Sequence, residues 1–372
     1  MNLKSSIVTS AATTSNMRLL EAALGNNLQS LSIIGMAKNA GKTVTLNHLI
    51  DACYREGVAL GLTSIGRDGE RLDLVTKTDK PTIYVYEGTW IATAESLFDA
   101  GTARLEILCM TDFHSAMGRI VIAKVRSDGY VQLAGPSTTQ GIKYLVHQMK
   151  QLGAKMVLVD GALDRTSLAS PTVTDAAVLA TGAVISRNME HVILETLHKV
   201  TLLNTLGCPA HIRSIGQRML KDRQVAWVPE HEEVFQSEES VHWLTIPTAL
   251  GAGKRLANFI PQNAVGTLML PGSLVEKTLL DFLDQRGTFK GITWVVEDAT
   301  KVFVSPSAYL KFLHKGFVLQ VLAPIKLLGV TINPVAPQGY AFSPEDFLER
   351  MQERLENTAV FDVYREEIEW SY

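Results

Sequence analysis

The stretch Leu31–Ile50, LSIIGMAKNAGKTVTLNHLI, constrains the fold more than any other in the chain. The apolar run Leu31–Ile34 follows the turn-prone GNNLQS and reads as a buried strand. From Thr43 to Glu56, apolar residues at 44, 46, 49, 50, 53 and 54 recur at helical spacing, and Gly57 supplies a stop. Between strand and helix lies GMAKNAGKT. A phosphate-binding loop needs consecutive backbone N–H groups aimed at one anion, a helix N-terminus behind them, a lysine for the outer phosphates and a hydroxyl for magnesium. Gly41, Lys42 and Thr43 supply the end of that pattern. The common form is G-x-x-x-x-G-K-[ST], whereas Gly35 and Gly41 enclose five residues and Met36 stands where the standard motif has glycine.

The rest of the chain reads as alternating strands and helices. VALGLTSIG (58 to 66) and TIYVYEG (82 to 88) predict the second and third strands. Residues 104 to 134 predict strands and hairpins as an antiparallel extension. A helix over Gln140–Leu152, a strand KMVLVDG (155 to 161), a short helix over Thr174–Thr181, a strand GAVIS (182 to 186) and a helix over Glu190–Leu206 follow. This order implies an α/β fold with a mostly parallel sheet covered on both faces. Acidic PEHEEVFQSEES (229 to 240) is the expected linker, giving a nucleotide-binding domain over 1–235 and a smaller C-terminal α/β unit over 236–372. Strand-like runs at 266–272, 292–305, 317–324 and 325–334 and the helix Pro344–Glu356 would build that unit.

Composition narrows the function classes. With 372 residues, 46% hydrophobic and 20% charged, the chain suits a globular protein with a large core. Its net charge of -3, without a Lys/Arg-rich block, disfavours nucleic acid. Cys53, Cys109 and Cys208 form no C-x-x-C pair, which fits a reducing cytoplasm. The first twenty residues lack the apolar core of a signal peptide and no run approaches the ~20 residues of a membrane helix, so no membrane association is expected. His191 and His198 share a helical face but no acidic third ligand accompanies them.

The five-residue spacer resembles the loops of the dethiobiotin synthetase and cobyric or cobyrinic acid amide synthetase group, within the SIMIBI class of P-loop proteins. That likeness covers roughly residues 30 to 190. It implies backbone phosphate contacts through Gly35, Lys38, Asn39, Ala40, Gly41, Lys42, Thr43 and Val44, with Lys42 on the phosphates and Thr43 on Mg2+. It also implies an acidic metal residue at the end of the third core strand, for which MVLVDG offers Asp160. Class members that dimerise around nucleotide carry a signature lysine usually five residues before the phosphate lysine, whereas Lys38 lies four before Lys42. Lys38 is thus a candidate phosphate contact or a solvated loop lysine, and a homodimer is one possibility the likeness implies.

Magnesium prefers oxygen ligands, and two further acids fall where strand ends are expected: Asp68 in SIGRDGE and Glu87 in YVYEGTW. Asp68 is a candidate for catalysis as well as metal binding, and Arg67 could neutralise developing charge. TKTD (76 to 79) matches the guanine-reading [NT]-K-x-D but precedes the Asp160 strand, which favours ATP over GTP. GAGK (251 to 254) lacks the following Ser/Thr. Cys208 in LGCPAH lacks the elbow of a glutamine-hydrolysing nucleophile. TINP (331 to 334) could set Asn333 near a base, though a Pro-ended strand turn is the plainer reading.

More narrowly, GMAKNAGKT, TSIGRDGE, YVYEGTW and VDGALDR together look similar to the P-loop subunit of reactivating factors that serve adenosylcobalamin-dependent lysine and ornithine aminomutases. That likeness implies an ATPase that acts with a second reactivase subunit on the aminomutase. The synthetase likeness implies instead a ligase that activates a carboxylate with the γ-phosphate, with Asp68, Glu87 and GPSTTQG (135 to 141) lining an acceptor pocket. A regulatory nucleotide-binding module without turnover is a third reading.

Overall fold

The computed structural model describes residues 19–66, 83–161, 173–230, 240–246, 250–261, 263–285 and 291–364. It divides into two compact units, Met1–Leu197 with Lys326–Tyr372, and His198–Ile325. In chain order the first unit contains α1 (Leu19–Gly25), β1 (Ser30–Gly35), α2 (Lys42–Arg55), β2 (Leu60–Ser64), β3 (Trp90–Ala94), β4 (Arg104–Ser115), β5 (Gly118–Ser127), α3 (Thr139–Gln151), β6 (Met156–Asp160) and β7 (Ala176–Gly182). Helix α4 (Met189–Leu203) leads into the second unit, with α5 (Ala210–Asp222), β8 (Val225–Pro229), β9 (His242–Leu244), α6 (Gly253–Phe259) and β10 (Gly266–Met269). Then come α7 (Glu276–Gln285), β11 (Ile292–Val296), α8 (Pro306–His314) and β12 (Val318–Val321). The chain returns to the first unit as β13 (Leu327–Asn333), α9 (Pro344–Arg354) and β14 (Val360–Phe361).

The first unit is built on a nine-stranded sheet in the order β14-β13-β7-β1-β6-β2-β3-β5-β4. Every pairing from β14 to β3 is parallel, and β5 and β4 close one edge as an antiparallel hairpin. The expected α/β class with a mostly parallel sheet is therefore present, as is the antiparallel extension. All six residues of β1 are buried. Leu31 and Ile33 pack with Leu46, Leu49 and Cys53 of α2 in the main core. At roughly 1.5–3 kcal/mol for each large buried apolar side chain, this packing holds α2 against the sheet far more strongly than its local helix preference does.

Three elements depart from the sequence expectation. Residues 174–181 do not form a helix: Ala176–Gly182 is strand β7, buried at every position between β1 and β13, and Ala183–Ile185 is a single 3₁₀ turn instead of a strand. Alanine favours helix locally, but small side chains also suit the middle of a sheet covered on both faces, and tertiary packing decides. TIYVYEG contributes only Ile83–Val85, paired with Gly129–Val131 in a separate two-stranded ribbon. IKLLGVTINP does not join the C-terminal unit, because β13 lies beside β7 in the first sheet.

That return also moves the expected boundary at 235/236. The smaller α/β unit is an insertion over 198–325, and α9 belongs to the first unit. The insertion has a five-stranded sheet, β9-β8-β10-β11-β12, in which β10, β11 and β12 are parallel. Trp227, Trp294, Phe282 and Phe312 lie in its core. Most of the acidic stretch read as a linker, residues 231–239, lies outside the described residues.

Candidate functional site

In the first sheet, the C-terminal ends of β1, β6 and β2 lie side by side. Asp160 pairs with Ile33 on one side and Ser64 on the other. The Met36 N–H donates to the Ala180 carbonyl of β7 at 2.9 Å, closing the last pair of the β1 ladder, Gly35 with Ala180. Met36 itself is a bend outside the strand, tied to β7 by that one bond. Five residues, Met36 to Ala40, therefore separate the end of β1 from Gly41, one more than the common loop has.

The Ala40 N–H donates to the Ala37 carbonyl at 3.3 Å, and Asn39 is left-handed with φ 65°. Gly41 follows at φ 105° as the N-cap of α2, where no side chain caps the first turn. A conformation of this kind favours glycine, and an uncapped first turn leaves backbone donors available to an anion. Lys42 opens the helix and folds back: a Cβ added to Gly35 would lie 2.8 Å from Lys42 Cγ, 2.9 Å from Cδ and 3.3 Å from Nζ. The lysine stem thus lies across the Gly35 backbone. Thr43 and Val44 are half-buried, whereas Lys38 and Asn39 are exposed.

Asp160 completes this group. Desolvation pushes its carboxyl up from 3.8 to about 6, against the opposing pull of the Lys42 ammonium. Its Oδ1 is buried and has no hydrogen-bond partner among the described residues. A buried, orphaned carboxylate oxygen is costly, and a cation ligated there would compensate it. The set of Gly35, Gly41, Lys42, Thr43 and Asp160 therefore fits a magnesium–polyphosphate group: amide donors and an ammonium for the anion, a hydroxyl and a carboxylate for the metal.

Glu87 does not join this group. Strand β3 runs parallel to β2 with Trp90 beside Gly61, so Glu87 precedes β3 and lies at the opposite edge of the sheet from Asp160. Its neighbour Tyr86 donates to Asp51 Oδ1 at 2.8 Å, nine residues along α2 from Lys42 and about 14 Å away at 1.5 Å per residue. Glu87 is exposed, and its N–H donates to Asp128 Oδ1 at 2.7 Å. Expected as a strand-end ligand, it is instead a turn residue before a strand. Asp68, Arg67 and TKTD lie outside the described residues. The segment before them is fixed: the Gly66 N–H donates to the Pro136 carbonyl at 3.0 Å, and the Gly135 N–H to Ser64 Oγ at 3.1 Å. GPSTTQG therefore reaches the end of β2.

Asn333 forms the Pro-containing turn that ends β13, the plainer of its two readings, and also packs on the loop. At the end of β13 it lies against the phosphate loop, its Cβ 2.9 Å from where a Cβ on Gly41 would fall, while its Oδ1 accepts the Val335 N–H at 3.0 Å. One turn into α2, Thr45 Oγ1 meets Thr331 Oγ1 of β13 at 2.7 Å. The signal was the asparagine closing the apolar run before Pro334; its partner, 292 positions earlier, was not legible locally.

The remaining motifs are structural. In GAGK the Gly251 N–H donates to Thr278 Oγ1 at 3.2 Å, and α6 begins at Gly253. His198 Nε2 bonds the Val304 carbonyl at 2.8 Å. Burial pushes the Cys208 thiol up, the reverse of what a nucleophile needs. Among the described residues no group of three His, Cys, Asp or Glu could hold a metal, and no helix is long and apolar enough to cross a membrane. Comparisons with protein-family models, with curated proteins and with solved structures give no match for this chain.

Proposed function

We propose that the chain binds Mg-ATP at Gly35–Val44 and hydrolyses it as the P-loop subunit of a reactivating, chaperone-like factor that serves an adenosylcobalamin-dependent aminomutase. The observation that carries the nucleotide reading is Lys42 folded across Gly35 with the orphaned Asp160 oxygen beside it. The loop N–H groups and Lys42 would hold the phosphates. Thr43 and Asp160 would hold magnesium, which when bound neutralises charge on the β- and γ-phosphates. Asp68, four residues after β2 in sequence and outside the described residues, remains the proposed water-orienting acid. The cycle would run on differential affinity of ATP for two conformations, with a second subunit and the aminomutase as cytoplasmic partners.

Calorimetry with Mg-ATP tests the site: wild type should bind, and Lys42→Ala should lose binding by 100-fold or more, about 3 kcal/mol for a charge-assisted phosphate contact. Slow turnover without any small acceptor, accelerated by the aminomutase, should accompany it. Absence of nucleotide binding by the wild type would end the reading. The contact of Gly135 with Ser64 favours, as a second reading, an ATP-dependent ligase with the acceptor beside β2. A ligase should show almost no turnover until a carboxylate acceptor is supplied.

A further inference from the structure

The edge of the first sheet where Glu87 lies carries a feature that the nucleotide reading does not use. Tyr84 and Tyr130 face each other across the ribbon, with ring centroids 5.2 Å apart at 77°. Tyr84 meets Tyr86 edge-on at 5.4 Å, and Tyr86 stacks on Tyr54 of α2 at 3.8 Å and 7°. The four rings form one continuous array, anchored by the Tyr86 hydroxyl on Asp51. Tyr54, Tyr84 and Tyr130 are 56%, 37% and 45% exposed, so three of the rings present surface to solvent.

We propose that this array is a docking surface for an arginine- or lysine-rich segment of a partner protein. Tyrosine supplies rigid contact area at a small entropy cost, which is why it recurs at the energetic centres of interfaces. The charges around the rings select the partner. Glu56, Glu87 and Asp128 are exposed there, and Asp51 is tied to Arg55 by an ion pair. Two cations accompany them, Arg55 and Arg104, the latter following Ala103, whose N–H donates to the Tyr130 carbonyl. Aromatic faces bordered by carboxylates attract guanidinium and ammonium groups through the ring quadrupole and charge together. A single-stranded nucleic acid could also stack on tyrosines, but its phosphates would meet the same carboxylates.

The test uses the full chain and a short fluorescein-labelled peptide of alternating arginine and glycine, read by anisotropy. A glutamate–glycine peptide and an oligothymidylate serve as the other two probes. The arginine peptide should bind best, and Tyr84→Ala with Tyr130→Ala should weaken it about tenfold, as expected for the loss of two exposed cation–π contacts. The Phe pair at the same positions should bind within about twofold of wild type, because the ring face and not the hydroxyl is the contact. Glu87→Lys should weaken binding through charge, and an unchanged melting temperature of the Tyr→Ala protein would show that it is folded. No binding of the arginine peptide, undiminished binding by the Ala pair, or tighter binding of either other probe would overturn the proposal. Each outcome is independent of whether ATP binds.

Discussion

At the scale of single residues, Asp160 carries a stability cost in the protein without ligand. Its carboxyl titrates near 6 in the fold and at 3.8 as an ordinary aspartate, so the folded state favours the protonated form. The contribution therefore has one sign: stability rises as pH falls from about 7 through 6 toward 4, by at most about 3 kcal/mol at 1.36 kcal/mol per pKa unit. Asp160→Asn should raise the melting temperature of the unliganded protein at pH 7.5 by several degrees, flatten its pH dependence between 4 and 7, and abolish turnover. A lower melting temperature for the variant would refute this account of the carboxylate. Gly35→Ala acts differently. The new Cβ would displace the Lys42 stem, a flexible group, so ATP affinity should fall about tenfold or more in calorimetry while the melting temperature changes little.

At the scale of elements, β7 shows why small side chains matter in a sheet covered on both faces. Ala180 is fully buried, and its carbonyl accepts the Met36 N–H. Ala180→Leu should cost roughly 1–3 kcal/mol by overpacking and should also weaken ATP binding, because the strand that supports the loop must shift. Chemical denaturation and calorimetry would report the two losses together. The same strand marks the limit of local reading. The loop, α2, β6 and Asp160 were legible because each is a contiguous pattern: an apolar run, a glycine turn, a 3.6-residue period, an acid at a strand end. In contrast, β7 was read as helix because its alanines carry no period that separates the two states, and only its neighbours β1 and β13 decide. Glu87 was misplaced for a related reason. The residues YVYEG show a strand and an acid after it, but that strand joins the ribbon with Gly129–Val131 and not the main sheet, and which sheet receives a strand is not encoded locally.

At the scale of the whole molecule, the first unit is discontinuous, and its closing strand arrives after an insertion. β13 is an interior strand between β7 and β14, and it supplies Thr331 to α2 and Asn333 to the loop. A chain truncated after Ile325 should therefore lose Mg-ATP binding and expose the first unit to proteolysis, since β7 would become an open, apolar edge. Limited proteolysis with mass mapping would check this, and a truncated chain that still bound ATP would show that β13 is dispensable. The C-terminal boundary expected near residue 235 failed on this point: a run such as IKLLGVTINP reveals that it is a strand but not which sheet receives it.

The insertion also sets a timetable for synthesis. The 128 residues from 198 to 325 must be translated before Thr331 and Asn333 can reach the phosphate loop. At roughly 5–20 residues per second, that delay is on the order of ten seconds. Throughout it, β1, β6 and β7 exist on the ribosome with one side of the sheet unclosed. A nascent chain paused within the insertion would thus already hold GMAKNAGKT and Asp160 yet lack the strand that braces them, and the loop would reach its finished form only once β13 had emerged.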